Sequence, residues 1–160
     1  MPRVVARDEV ALPHQVEDVY AVLIDFPAYR AWWPRLLSFK VLTPGPVGIG
    51  TRVRFGHTHL VSWTAVVTDV RPEERIAMHY DGGACLGEAV WTMDAAGQAT
   101  RIAYSIDLEV RPWYLRGLSH VLDFSREHTR QIYRVFLALD RRLVVIDGER
   151  SPAGGAVRIG

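Results

Sequence analysis

Three patterns of apolar and polar positions divide the chain. From Arg3 to Leu12 charged and apolar residues alternate around Val5 and Val10, the two-residue repeat of a strand, and Pro13 ends it. From His14 to Ile24 the apolar residues Val16, Val19, Tyr20 and Leu23 recur at helical spacing, with Glu17 and Asp18 where a helix N-terminus favours negative charge. Asp25 is placed to cap a second short helix across Phe26 to Ala31, because Pro27 falls in the first turn, where its missing N–H is harmless. After Pro34 the two-residue repeat returns and persists for about 75 residues. Turn signals cut it at Pro44-Gly45-Pro46 with Gly48 and Gly50, at Arg71 to Glu74, at Asp81-Gly82-Gly83 and at Asp94 to Gly97. With a tight turn near Thr58 to Leu60, they predict six further strands in an antiparallel meander.

The last third is helical again. Leu118, Leu122, Ser125, Thr129, Ile132, Phe136, Leu139 and Leu143 are spaced alternately by four and three, so one face stays buried throughout. Pro112 can start this element or lie just before it, and Asp147-Gly148 ends it. At 1.5 Å per residue, roughly 30 residues make a rod of about 45 Å. Residues 1–147 are therefore expected to form a single domain and 148–160 a flexible, Gly- and Ala-rich tail. The fold class expected is α+β: a seven-stranded antiparallel sheet, two short helices after its first strand, and a long C-terminal helix.

Composition narrows the function classes. The chain has 160 residues, 49% of them apolar and 23% charged, with a formal net charge of +1. That is an ordinary globular balance with no electrostatic signature of nucleic-acid binding. The longest apolar runs, such as Tyr20 to Ile24, fall far short of the ~20 residues of a membrane span. The first residues lack the charged start, apolar run and cleavage site of a secretory signal, so the expected location is cytoplasmic. One cysteine, Cys85, makes no internal disulfide, and no Cys or His pair has zinc-site spacing.

The order strand, two helices, six strands, long helix resembles the SRPBCC superfamily. That group includes lipid-transfer START domains, pollen-allergen-type proteins, polyketide cyclases and coenzyme-Q-binding proteins. The stretch Val19-Tyr20-Ala21-Val22-Leu23-Ile24-Asp25-Phe26-Pro27-Ala28-Tyr29, followed by Trp32, Trp33 and Pro34, is similar to the helical entry of the polyketide cyclase branch. Gly50-Thr51, Trp63 to Asp69 leading to Pro72, Trp91 before a turn, and Gly97 with Thr100 agree with that branch in order and spacing. The likeness covers about residues 3 to 146. It implies a helix-grip fold, with the sheet curved around the long helix, and an internal cavity for an apolar small molecule. No cofactor is expected, and the sequence leaves the oligomeric state open. Since the scaffold serves carriers, sensors and enzymes alike, it does not by itself choose an activity.

Alternation assigns the inner wall of such a sheet. Val53 and Phe55 point inward and carry that register to His57, and on to His59. Trp63, Ala65 and Val67, then Ile76, Met78 and Tyr80, then Trp91 and Met93, then Ile102, Tyr104, Ile106 and Leu108 follow, which leaves His79 outside. On the long helix Leu118, Val121, Leu122, Ser125 and His128 lie on or beside the inward stripe. The resemblance adds Tyr29, Trp32 and Trp33 and raises Trp63 and Trp91 with them. The candidate ligand-binding set is therefore Tyr29, Trp32, Trp33, Phe55, His57, Trp63, Met78, Tyr80, Trp91, Tyr104, Leu118, Leu122, Ser125 and His128.

Two of these titrate near neutral pH. An inward His57 or His128 beside a bound polyketone is suited to enolisation, aldol closure or loss of water. Each also fits an ordinary hydrogen-bonded position. Arg54 alternates outward, and Arg126, Arg130, Arg134, Arg141 and Arg142, interleaved with Glu127 and Asp140, read as a solvated helix face. His57 and His59 share a face without a third ligand, so no metal site is expected. No glycine-rich phosphate loop is present, and Cys85 has no partner suited to covalent catalysis. Three functions stay open: a polyketide cyclase, aromatase or dehydratase; a non-catalytic carrier or sensor of a lipid, quinone or aromatic metabolite; and a protein-interaction role using the sheet edge or tail, which would require an exposed apolar patch.

Overall fold

The computed structural model describes residues 3–57, 61–111 and 121–151, and the side chains within them except those of 121–125. The first strand, β1 (Arg3–Leu12), turns Val4, Asp8 and Leu12 to the buried side, while Val5 is 65% exposed. Val5 and Val10 cannot share a face, because they are an odd number of residues apart and side chains alternate with a period of two. The inward register is that of Val4 and Val10, and it carries an aspartate to the core side.

Helix α1 (Val16–Ile24) buries Val16, Val19, Val22 and Leu23 and has Glu17 and Asp18 in its first turn. It begins two residues later than the periodicity predicts, because His14 is engaged in the corner before it. The His14 ring lies 2.7 Å from Asp140 Oδ1 through Nε2 and 3.1 Å from Asp147 Oδ2 through Nδ1. Its carbonyl accepts the Thr100 hydroxyl at 2.8 Å. This buried ring fastens the start of the chain to the far end of the long helix. Hydrogen bonds to charged groups contribute about 1.5–3 kcal/mol each. The two carboxylates are exposed enough to regain water, so His14→Ala is expected to cost about 2 kcal/mol in urea unfolding. An unchanged midpoint would show that this corner is held by other contacts.

The second short helix, Phe26–Ala31, is a 3-10 helix with Pro27 in its first turn. Asp25 precedes it with φ −80° and ψ 68° and makes no side-chain capping bond, so the expected cap does not form. Six strands follow: β2 (Leu37–Val41), β3 (Arg52–His57), β4 (Val61–Arg71), β5 (Arg75–Gly83), β6 (Cys85–Ala96) and β7 (Ala99–Val110). Together with β1 they form one antiparallel sheet in the order β1-β7-β6-β5-β4-β3-β2, curled into a half-barrel. Two register shifts between β4 and β5 leave Asp81 and Thr68 as extra residues. Such bulges bend and twist a sheet, which favours this curl. At the β6–β7 hairpin Ala96 pairs with Ala99 and Gly97 has φ 63°, the left-handed backbone that a two-residue hairpin loop requires. The turn expected at Thr58 to Leu60 lies outside the described residues.

The long helix, α2 (Val121–Arg150), buries Ile132, Val135, Phe136, Leu139 and Leu143 against the sheet. It does not stop at Asp147-Gly148. Asp147 is tied to His14, Arg150 pairs with Asp18 of α1, and these links carry the helix to Arg150. Residues 148–150 are thus helix rather than tail, and 152–160 lie outside the described residues, as does the expected start at Pro112. No described helix is long and apolar enough to cross a membrane.

Candidate ligand cavity

Between the inner face of the sheet and α2 lies a cavity of about 550 Å³, within the range of small-molecule sites. Its walls follow from alternation: Phe55 and His57 come from β3, Val61 and Trp63 from β4, Met78 and Tyr80 from β5, Cys85 and Trp91 from β6, and Tyr104 and Leu108 from β7. The 3-10 helix and the residues after it supply Phe26, Tyr29 and Trp33, and β2 supplies Leu37 and Phe39. Helix α2 closes the space with Ile132, Val135, His128 and Gln131, and Arg126, Glu127 and Arg130 stand at its rim. The two rim arginines are exposed, yet they belong to the cavity lining rather than to a remote solvated face.

Aromatic rings form a nearly continuous wall. Tyr29 stacks on Trp33 with ring centres 4.9 Å apart, Phe55 stacks on Trp63 at 6.4 Å, and Trp91 lies 4.6 Å from Tyr104. Such rings combine broad apolar faces with polar tips. Trp33 Nε1 is one such tip, buried and without a hydrogen-bond partner among the described residues. Of the tryptophans expected here, Trp32 lies elsewhere. It lines a crevice of about 190 Å³ with α1 and the end of α2, because its ring is turned 74° from that of Trp33. Leu118 lies outside the described residues, and so do the side chains of Leu122 and Ser125; His59 also falls outside. His79 is on the outer face, 2.6 Å from Glu88.

The polar groups of the cavity form two sets. At the mouth, the Gln131 amide lies 3.1 Å from His57 Nε2, donates to Glu127 Oε1, and accepts from Arg134 at 3.3 Å. His57 is thereby linked to α2 across the opening, with Nε2 directed at an amide. Deeper in, the Tyr80 and Tyr104 hydroxyls are 2.7 Å apart. Burial pushes the Tyr80 phenol up to about 12 and the Tyr104 phenol well above the usual tyrosine range. Both remain neutral. Two phenols carry two O–H protons, and their mutual bond uses one, so the pair retains one donor for another acceptor.

His128 stacks on Tyr104 with ring centres 5.9 Å apart and planes 16° apart. Burial lowers its basicity below that of an ordinary histidine, opposed by the charge of Asp8. Asp8, 8% exposed on β1, has Oδ2 3.8 Å from His128 Nδ1. Sequence reasoning passed over Asp8; the β1 register centred on Val4 is the signal that places it inward. Gln131 and Phe39 were missed for want of a pattern, since one glutamine on a helix and one phenylalanine in a short strand carry no periodicity of their own.

The fold has counterparts among solved structures. A START superfamily protein from Mycobacterium smegmatis superposes with a TM-score of 0.72 at 15% identity, over 89% of this chain and 98% of its own. The Zhui aromatase/cyclase from Streptomyces sp. R1128 gives 0.69 at 19% identity, over 96% of this chain and 99% of that one. Norcoclaurine synthase from Thalictrum flavum, in complex with dopamine and hydroxybenzaldehyde, gives 0.66 at 12% identity, over 89% and 87%. No match was found among curated protein sequences. At these identities the structural likeness establishes the helix-grip fold alone. The sequence adds the family: residues 12–126, more than half the chain, match the model for polyketide cyclase / dehydrase and lipid transport proteins, and the chain belongs to that family.

Proposed function

We propose that the protein binds a predominantly apolar, oxygenated small molecule in the cavity between sheet and α2, and acts on it as a polyketide cyclase, aromatase or dehydratase. The observation that carries this reading is the pairing of an aromatic-walled cavity of about 550 Å³ with proton-handling groups, the buried Tyr80 and Tyr104 and the partly buried His128. Burying polar groups is costly unless they are hydrogen-bonded, and the tyrosine pair still has one O–H to place. A carrier of the same ligand needs the aromatic walls but not a histidine on the cavity lining. The walls would fold a flexible chain so that chosen carbons meet, and positioning of this kind supplies much of the rate of an intramolecular closure. The aromatase/cyclase and the aromatic-ligand complex among the structural neighbours support the same substrate class.

Native mass spectrometry of the gently purified protein, followed by incubation of any released molecule with fresh protein, tests the reading. Loss of water or formation of a cyclised isomer is the expected result, whereas a bound molecule returned unchanged would favour a carrier. The cavity itself is tested separately. Trp63→Ala removes a ring stacked on Phe55 and 6.4 Å from that of Tyr80. It is expected to weaken binding of an aromatic ligand roughly 10-fold, as loss of an aromatic contact worth about 1–1.5 kcal/mol would. Unchanged affinity in a titration would remove Trp63 from the site.

A further inference from the structure

We propose that Asp8 and His128 act as a proton-accepting pair serving the cavity, with His128 the base that takes a proton from the bound molecule and Asp8 the positioning residue behind it. The proposal rests on the reading of the cavity as a catalytic site, and it adds a strand β1 residue that does not line the cavity.

Asp8 is out of keeping with its strand. Its inward neighbours Val4, Ala6, Val10 and Leu12 are apolar, yet Asp8 is buried among them with Oδ2 lacking a hydrogen-bond partner among the described residues. A carboxyl oxygen so placed is unfavourable unless a partner comes to it. What it faces is His128 Nδ1 at 3.8 Å, an ion-pair distance. Contacts of this kind in unliganded sites often shorten when the ligand binds. With Nδ1 turned toward Asp8, Nε2 lies on the opposite edge of the ring, and His128 belongs to the cavity lining while Asp8 does not. A carboxylate behind one ring nitrogen orients the ring and selects the tautomer in which the other nitrogen is the base.

The Tyr104 ring fixes the plane of His128 by stacking, and its hydroxyl belongs to the donor pair with Tyr80. Base and donor therefore share one wall. The ligand chemistry this suits is a carbon acid beside a carbonyl. The α-proton passes to Nε2, the C–H electron pair becomes the enolate, and its negative oxygen accepts the phenolic hydrogen bond. Return of the proton to that oxygen completes the enol and restores neutral His128. Among the described residues, the titratable groups around His128 are Asp8 from β1, Tyr104 from β7 and, next to it on α2, Glu127.

The test uses 5-nitrobenzisoxazole, an apolar aromatic carbon acid. Removal of its C3 proton sends the C–H pair into a nitrile and breaks the N–O bond, and the released oxygen leaves as a coloured phenolate. The unreactive 5-nitroindazole measures binding in parallel. The wild-type protein is expected to bind both and to accelerate the elimination at least about 100-fold over buffer, the scale of a positioned base. His128→Gln should abolish that acceleration. Asp8→Asn should lower kcat roughly 10-fold or more with 5-nitroindazole affinity kept, while His79→Gln, on the outer face, should change neither. The rate should rise with pH through the His128 transition, at a midpoint below the ordinary 6.5, because the base acts when neutral. In Asp8→Asn that midpoint should move lower still, since the charge that favours the imidazolium is gone; a merely structural role would not move it. Failure of 5-nitroindazole to bind would overturn the cavity reading itself. Binding without acceleration, or an acceleration that His128→Gln leaves intact, would overturn the pair, and the former needs no variant to fold.

Discussion

Gly87→Ala is expected to destabilise the protein by roughly 3–5 kcal/mol, the upper range for single substitutions, and in many preparations to prevent folding. Gly87 sits near the start of β6 at φ 135°, a backbone conformation that L side chains rarely adopt. A Cβ added there would lie 2.2 Å from the Asp107 carbonyl oxygen and 3.0 Å from Leu108 Cα. Both atoms are backbone of the neighbouring strand and cannot rotate away. The strain also reaches the site, because Gly87 pairs with Tyr80 on one side and Leu108 on the other, and both line the cavity. Urea unfolding checks it, with Gly148→Ala as the control, since open space surrounds that helical glycine. Matching midpoints for Gly87→Ala and the parent would show that β6 does not hold this backbone against β7.

Trp91→Ala is the second large effect expected, a loss of about 3–5 kcal/mol. Trp91 is 3% exposed, with its ring centre 4.6 Å from that of Tyr104 and 6.0 Å from that of Phe136 on α2. It therefore joins β6, β7 and the long helix at the inner boundary of the cavity. Removing it takes away packing that holds the helix to the sheet and merges its own volume with the ligand space. Thermal unfolding of the empty protein is the measurement. A small change there, with a large loss of ligand affinity, would make Trp91 a contact for the ligand rather than a part of the core. Trp63 differs in kind: it is only partly buried and its neighbours are other cavity rings, so its loss should be felt in binding first.

How the site is assembled was only partly legible beforehand. Phe55, Trp63, Met78, Tyr80, Trp91 and Tyr104 were readable because strand alternation sorts side chains between two faces without reference to any distant residue. Trp33, brought in by the resemblance, does line the cavity, whereas Trp32 does not, since the two rings diverge within a single turn after the 3-10 helix and neither repeat period applies there. His128 was recognisable as an inward helix position, but its partner was not. Asp8 lies 120 residues away in sequence, and their approach depends on β1 pairing with β7 at the sheet edge beside α2. His14 was read as the first residue of a helix because its local spacing allows it; two carboxylates more than a hundred residues further on take it out of that helix.

By itself the sequence determined the succession of elements, the faces of the strands and the apolar stripe of the long helix, since each depends on a local repeat of two or about 3.6 residues. The tertiary structure decided the rest: that the curled sheet stands off from α2 far enough to leave a cavity, that an aspartate and a histidine meet beside it, and that two tyrosine hydroxyls join within it. The reason is physical. A void and a pairing between distant groups are set by how packed surfaces fit and where the chain returns, and neither quantity is carried by the pattern of any one segment.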